Sequence, residues 1–171
     1  EGHVDAARLL LEKGAEVDRA DRDGGPPLYV ACWTGHADAA QLLLDNGAEV
    51  DRANKNGVTP LYVACYDGHV GTARLLLDNG AEIDRADQNG VTPLWIACQK
   101  GHVDAARLLL NRGGDVRRLR NDGWTPLFGA CQKGHVDAAR LLLDNGAEVD
   151  RANKLGGTPL FIACLSGHVD A

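Results

Sequence analysis

The chain has 171 residues, 44% hydrophobic and 25% charged, a balance that suits a folded protein and excludes a disordered one. Its formal net charge of −6 and pI near 5.4 repel polyphosphate, so nucleic acid is not expected as a partner. The longest leucine block is three residues, against the about 20 apolar residues of a membrane span, and no charged-then-apolar leader opens the sequence, so no membrane partner is expected.

A period organises everything else. Gly-His recurs at 2, 35, 68, 101, 134 and 167, and Pro-Leu at 27, 60, 93, 126 and 159, each 33 residues apart. Cys32, Cys65, Cys98, Cys131 and Cys164 keep the same spacing, as do the leucine triplets starting at Leu9, Leu42, Leu75, Leu108 and Leu141. This register predicts a stack of near-identical units, each burying a face on the next. In chain order they are a partial unit over 1–24, full units over about 25–57, 58–90, 91–123 and 124–156, and a partial unit over 157–171, all in one array.

Within a unit the elements follow from local chemistry. Thr59-Pro60 supplies a hydroxyl N-cap and a proline at the first helical position. Leu61 to Cys65 continue that helix until Gly68 stops it. A second helix is expected from near Val70, carrying Ala73 and Leu75 to Leu77, and ending at Asn79-Gly80. Asp38, Asp104 and Asp137 fall in the first turn of sibling second helices, near the positive helix end. Between units, Asp51 to Gly57 carries an Asn-Gly turn signal and is expected to project as a hairpin-like finger. Helices this short are not stable alone, so stacking must hold them.

Two short helices and a turn every 33 residues, with Thr-Pro-Leu at 59, 92, 125 and 158 and Leu-Leu-Leu-x-x-Gly-Ala as in Leu42 to Ala48, resemble the ankyrin repeat. The resemblance covers essentially the whole chain. It implies an all-α solenoid of stacked helix-turn-helix units with projecting β-hairpin-like fingers, and a non-catalytic scaffold that binds a protein partner through a concave groove and its finger tips. The family's histidine after Thr-Pro-Leu is replaced by Tyr29, Tyr62, Trp95, Phe128 and Phe161, so aromatic packing is expected in place of its hydrogen bonds. The first finger reads Gly24-Gly25-Pro26-Pro27 and lacks the threonine cap, which predicts weaker order there. Neither end shows a polar capping repeat, so the ends are expected to fray or to associate weakly end to end. A fragment of a longer array and an engineered piece both stay open, because the varied positions resemble those diversified in designed ankyrin-repeat binders.

The reactive residue types have plainer readings. Equivalent cysteines in stacked helices sit ~8–10 Å apart, beyond the ~7 Å a disulfide spans, and five cannot all pair. They read as small buried residues kept reduced, which points to a cytoplasmic or other intracellular reducing compartment. Each Cys-His pair, such as Cys65 and His69, is separated by a helix-breaking glycine and offers two ligands where structural zinc needs four. Phosphate-loop, dinucleotide and serine-elbow motifs are missing. No catalytic residue, cofactor or metal is therefore expected, and the protein is read as not an enzyme.

Function should lie where the units differ. Variation falls at the finger tips, at Arg22, Asp23, Lys55, Asn56, Val58, Gln88, Asn89, Val91, Arg120, Asn121, Trp124, Lys154 and Leu155. It falls also at the end of each first helix, at Trp33, Thr34, Tyr66, Asp67, Gln99, Lys100, Gln132 and Lys133. These residues are the expected partner-binding set, with the aromatics as anchors. The fourth finger reads Arg117-Arg118-Leu119-Arg120 where another reads Asp51-Arg52-Ala53-Asn54, a local docking spot for an acidic partner. The runner-up reading is a structural or regulatory spacer within a larger protein.

Overall fold

A computed structural model describes residues 2–167. Ten helices are present and no strand occurs among the described residues. They run α1 (Gly2–Glu12), α2 (Pro27–Trp33), α3 (Ala37–Asp45), α4 (Pro60–Tyr66), α5 (Val70–Asp78), α6 (Pro93–Lys100), α7 (Val103–Asn111), α8 (Pro126–Lys133), α9 (Val136–Asp144) and α10 (Pro159–Leu165). None is long and apolar enough to cross a membrane.

Each start and stop has a local cause. The Oγ atoms of Thr59, Thr92, Thr125 and Thr158 accept from the main-chain N–H of Tyr62, Trp95, Phe128 and Phe161, and a proline follows each cap. At α2 the cap is Pro26, and no side-chain bond replaces the missing hydroxyl. Gly101 and Gly134, at φ +76° and +69°, close α6 and α8 in the left-handed conformation. The outer helices end on Asn46, Asn79 and Asn145, whose Nδ2 atoms donate to the carbonyls of Leu42, Leu75 and Leu141. The last four residues of the final partial unit, 168–171, lie outside the described residues.

The even-numbered helices α2 to α10 form an inner layer, each packed on the next, and the odd-numbered α1 to α9 form an outer layer. Inner neighbours approach more closely than outer ones, because Ala64 and Cys65 and their equivalents are small. Leu28, Leu61 and Leu94 are wholly buried and Leu127 nearly so, a ladder at the 33-residue period. Ala40, Ala73, Ala106 and Ala139 with Leu43, Leu76, Leu109 and Leu142 repeat that ladder in the outer layer. Fully burying one such leucine contributes about 1.5–3 kcal/mol, so the stack supplies what helices of seven to nine residues lack.

The hairpin-like fingers are made of turns. In the second, Asn54 N donates to Val58 O and the Asn54 Oδ1 accepts the N–H groups of Asn56 and Val58. Asp21, Asp87 and Asn153 close their own fingers with the same side-chain acceptor. Fingers are then joined in register. Lys55, Gln88, Asn121 and Lys154 donate their N–H groups to the carbonyls of Asp23, Asn56, Asn89 and Asp122.

Candidate functional site

The fingers and the inner helices share one side of the stack. Asn54 Nδ2 reaches the Tyr29 hydroxyl at 3.5 Å, and the Arg120 guanidinium lies 4.7 Å from the Trp95 ring centre. The inner-helix ends and finger tips therefore bound a common face, with the aromatic column of Tyr29, Tyr62, Trp95 and Phe128 beneath it. Burial pushes the Tyr29 and Tyr62 hydroxyls up from the usual phenol range. The Tyr29 and Tyr62 rings are half-buried, and Trp95 and Phe128 are 2% exposed, so this column is packed where the family's histidines would hydrogen-bond.

Trp33 is the most open aromatic of the set at 55%, with Thr34 exposed beside it and its Oγ1 turned back onto the Val30 carbonyl at 2.9 Å. One unit on, Tyr66 is 37% exposed, and Asp67 is half-buried. Lys100 lies over the Tyr66 ring at 4.1 Å and donates to its hydroxyl at 2.9 Å. Gln99 and Gln132 are half-buried and face each other at 3.4 Å, while Lys133 is exposed. These contacts draw Tyr66, Lys100, Gln99 and Gln132 into one row of inner-helix ends.

At the finger tips the structure divides the sequence set. Arg22, Asp23, Asn56, Asn89 and Lys154 are exposed, and Leu155 is 93% exposed. Lys55, Gln88 and Asn121 are exposed too, but their side chains donate to the carbonyls of Arg22, Lys55 and Gln88 at 2.7, 2.8 and 2.9 Å. Residues that vary in identity at this position are alike in donating, and they tie each finger to the one before. Val91 is 6% exposed and belongs to the core, and Val58 is half-buried against it. Val91 is thus withdrawn from the face, because the position after each tip glycine turns inward to the inner-helix start.

The fourth finger departs most. Arg120 stands where its siblings carry Asp or Asn, so it cannot accept the finger's own N–H groups. Asp122 takes part of that role by accepting Trp124 N at 3.3 Å. The Arg120 side chain instead lies between Trp95 and Trp124, 4.7 and 5.1 Å from their ring centres, and pairs with Asp122 at 3.0 Å. Trp124 is half-buried and tilts against Phe128 at 4.3 Å. The Arg120 Nε and the Trp95 Nε1 are both buried without an acceptor.

Trp95 and Gly129 escape a reading of variable surface positions because both are buried. They form a pair: a Cβ on Gly129 would sit 3.2 Å from the Trp95 ring. The column of Gly129 is otherwise Val30, Val63, Ile96 and Ile162, so its one glycine stands opposite the one tryptophan of the aromatic column. That coincidence is the signal in the sequence that would have found them.

The cysteines and histidines do not converge. Cys32, Cys65, Cys98 and Cys131 are buried free thiols and Cys164 is an exposed one. Burial pushes the Cys32 and Cys65 thiols up to about 12, and Cys98 and Cys131 upward as well, so these thiols stay protonated and poorly nucleophilic. His69 Nε2 meets the Trp33 carbonyl at 3.1 Å, and its ring covers Gly35 of the preceding unit. His102 and His135 cover Gly68 and Gly101 in the same way. Among the described residues no three His, Cys, Asp or Glu side chains are grouped to hold a metal.

Comparison with known proteins agrees with this architecture. A family model described as ankyrin repeats in three copies matches residues 50–120 and 112–171, and one described as ankyrin repeats in many copies matches residues 1–44. The chain belongs to the ankyrin repeat family. Ankyrin repeats are generally protein–protein interaction modules and generally non-catalytic. A curated relative, the ankyrin repeat and LEM domain-containing protein 1 homolog of Caenorhabditis elegans, is 66% identical over 29 residues. That match covers 17% of this ankyrin chain and 4% of the relative, so it speaks for about one repeat.

Proposed function

We propose that this ankyrin array is a non-catalytic scaffold that binds a protein partner along the face made by its finger tips and inner-helix ends. The observation that carries the reading is the row of side chains left over by the stack: Trp33 at 55% exposure, Tyr66 under Lys100, and Leu155 at 93%. Aromatic anchors on a rigid support lose little entropy on binding, and an array whose fingers are already tied together is preorganised. Asp23, Asn56, Asn89, Lys100 and Lys133 would form the polar rim. A reducing compartment suits the free thiols.

The test combines Trp33→Ala and Tyr66→Ala, which leave the buried ladders untouched. A partner captured by the unaltered chain should lose at least about tenfold in affinity with the double variant, as measured by surface plasmon resonance. Retention of full affinity would remove the groove from the account. It would leave the spacer reading. Leu160, Phe161 and Leu165 are 68%, 59% and 69% exposed, whereas Leu127 and Phe128 one unit earlier are 2% exposed. These apolar side chains support weak association with a second copy over that end.

A further inference from the structure

The aspartate at the base of each finger joins consecutive units. Asp18 accepts the Glu49 N–H at 3.0 Å, Asp51 accepts the Glu82 N–H at 2.9 Å, and Asp84 accepts the Asp115 N–H at 3.1 Å. The next position in the register is Arg117, which has no acceptor to offer the Glu148 N–H. Its Nε reaches instead to the Gly146 carbonyl, at 3.5 Å. A cavity of about 130 Å³ opens there, with Val116, Arg117, Leu119, Ala147, Glu148 and Arg151 among its lining. At roughly 30 Å³ per water, it has room for a carboxylate and its methylene stem.

We propose that this cavity takes an acidic side chain of a protein partner, whose carboxylate occupies the place of the missing aspartate. The lining of the cavity is complementary to such a side chain. Arg117 and Arg151 bring two guanidiniums to the cavity, and the Glu148 N–H stands where its equivalents meet a carboxylate oxygen. Val116, Leu119 and Ala147 form an apolar wall for the stem, and Leu119 replaces the alanine of the sibling fingers. Two acids also face the site. Glu148 pairs with Arg151 at 3.6 Å, and Asp115 accepts the N–H of Arg117 itself at 2.9 Å. The two arginines and two acids balance formally, and Arg117 is the one of the two guanidiniums that bonds a carbonyl, Gly146 O, in place of a carboxylate.

This inference rests on the scaffold reading but not on the groove, since none of the lining residues belongs to the variable face. Its test uses the labelled full chain and Arg117→Asp, which restores the residue of the sibling units and so keeps the fold. Acetyl-Glu-Glu-amide should shift the Glu148 amide saturably in heteronuclear NMR, with a Kd of about a millimolar. Acetyl-Gln-Gln-amide should not, and Arg117→Asp should lose at least about tenfold while slowing exchange of the Glu148 amide. The Trp33→Ala and Tyr66→Ala double variant should bind the acidic peptide unchanged. No saturable shift, or an equal shift in Arg117→Asp, would overturn the proposal. Equal binding of acetate would replace the partner side chain with free small carboxylates. Loss of the peptide in the groove variant, with Arg117→Asp unaffected, would move the acidic contact to the groove and leave the scaffold reading standing.

Discussion

At Gly68 a Cβ would lie 2.6 Å from the His102 Nδ1, on a backbone at φ +73°. Gly80 has a similar φ of +86° but nothing within 4 Å of its added Cβ. Gly68→Ala and Gly80→Ala should both lose the ~1–2 kcal/mol of a left-handed alanine, and Gly68→Ala should lose clearly more in urea unfolding. Equal losses would show that the histidine ring moves aside at no cost and has no packing role. The Gly-His dipeptide is thus read by two units at once: the glycine ends one helix, and the histidine of the following unit closes over it.

The thiols belong to the same scale. Cys164 is exposed and four others are buried, so a thiol reagent at neutral pH should modify one cysteine in the native chain and the rest after unfolding. Burial raises the pKa of the Cys32 and Cys65 thiols from the ordinary 9.0 to about 12. Below pH 9 both folded and unfolded thiols are protonated, and their contribution to stability is whole. Between pH 9 and 12 the unfolded chain loses its thiol protons first, so stability falls as the pH rises. Urea midpoints measured from pH 8 to 11 should stay level and then drop; a level profile throughout would mean that these thiols are hydrated in the fold.

At the scale of the element, α6 and α8 are fitted to each other by one exchange of volume. Trp95 fills the space that Gly129 vacates, and Arg120 roofs the pair. Gly129→Ile should therefore destabilise by about 1–3 kcal/mol through overpacking. Combining it with Trp95→Phe, which restores the sibling pairing of an aromatic ring and an Ile, should recover much of that loss. A double-mutant cycle with a coupling below ~0.5 kcal/mol would show that the two sites do not share one space. The finger belongs to the same scale. Tip variation read as freedom for a partner is, at Lys55, Gln88 and Asn121, variation among donors that stitch fingers together. Sequence comparison sees the differences among those side chains, whereas the bond depends on what they have in common.

For the whole molecule, stability is a sum of similar interfaces, and six departures collect in one place. Arg112, Arg117, Leu119, Arg120, Trp124 and Gly129 all differ from their register equivalents, and all lie between α7 and α8 or within α8. Arg112 replaces the capping asparagine and bonds Asp78 of the preceding outer helix at 2.8 Å. This stretch binds backward to the unit before it and loses the aspartate bond to the unit after it. At the end of the stack, Leu160, Phe161 and Leu165 are exposed, and an apolar pocket at the other end is lined by Leu10, Leu11, Val17 and Leu43. The proposed end-to-end association should appear as a rise in sedimentation coefficient with concentration, abolished by Leu160→Lys. An unchanged coefficient over that range would overturn the association.

The period, the helix starts at Thr-Pro, the glycine stops and the leucine ladders were all legible in the residues, since each is set by local dihedral and capping chemistry or by a spacing that repeats. Trp33 and Leu155 were legible for a related reason: they stand at register positions whose residues differ from unit to unit. Val91 turning into the core and the donors at the finger tips were not legible, because burial and hydrogen bonding at those positions depend on the neighbouring unit. Nor were the pairing of Trp95 with Gly129 and the cavity under Arg117 visible along the chain. Their partners lie 34 and 31 positions away, and only packing one unit on the next shows which volume is filled and which acceptor is missing.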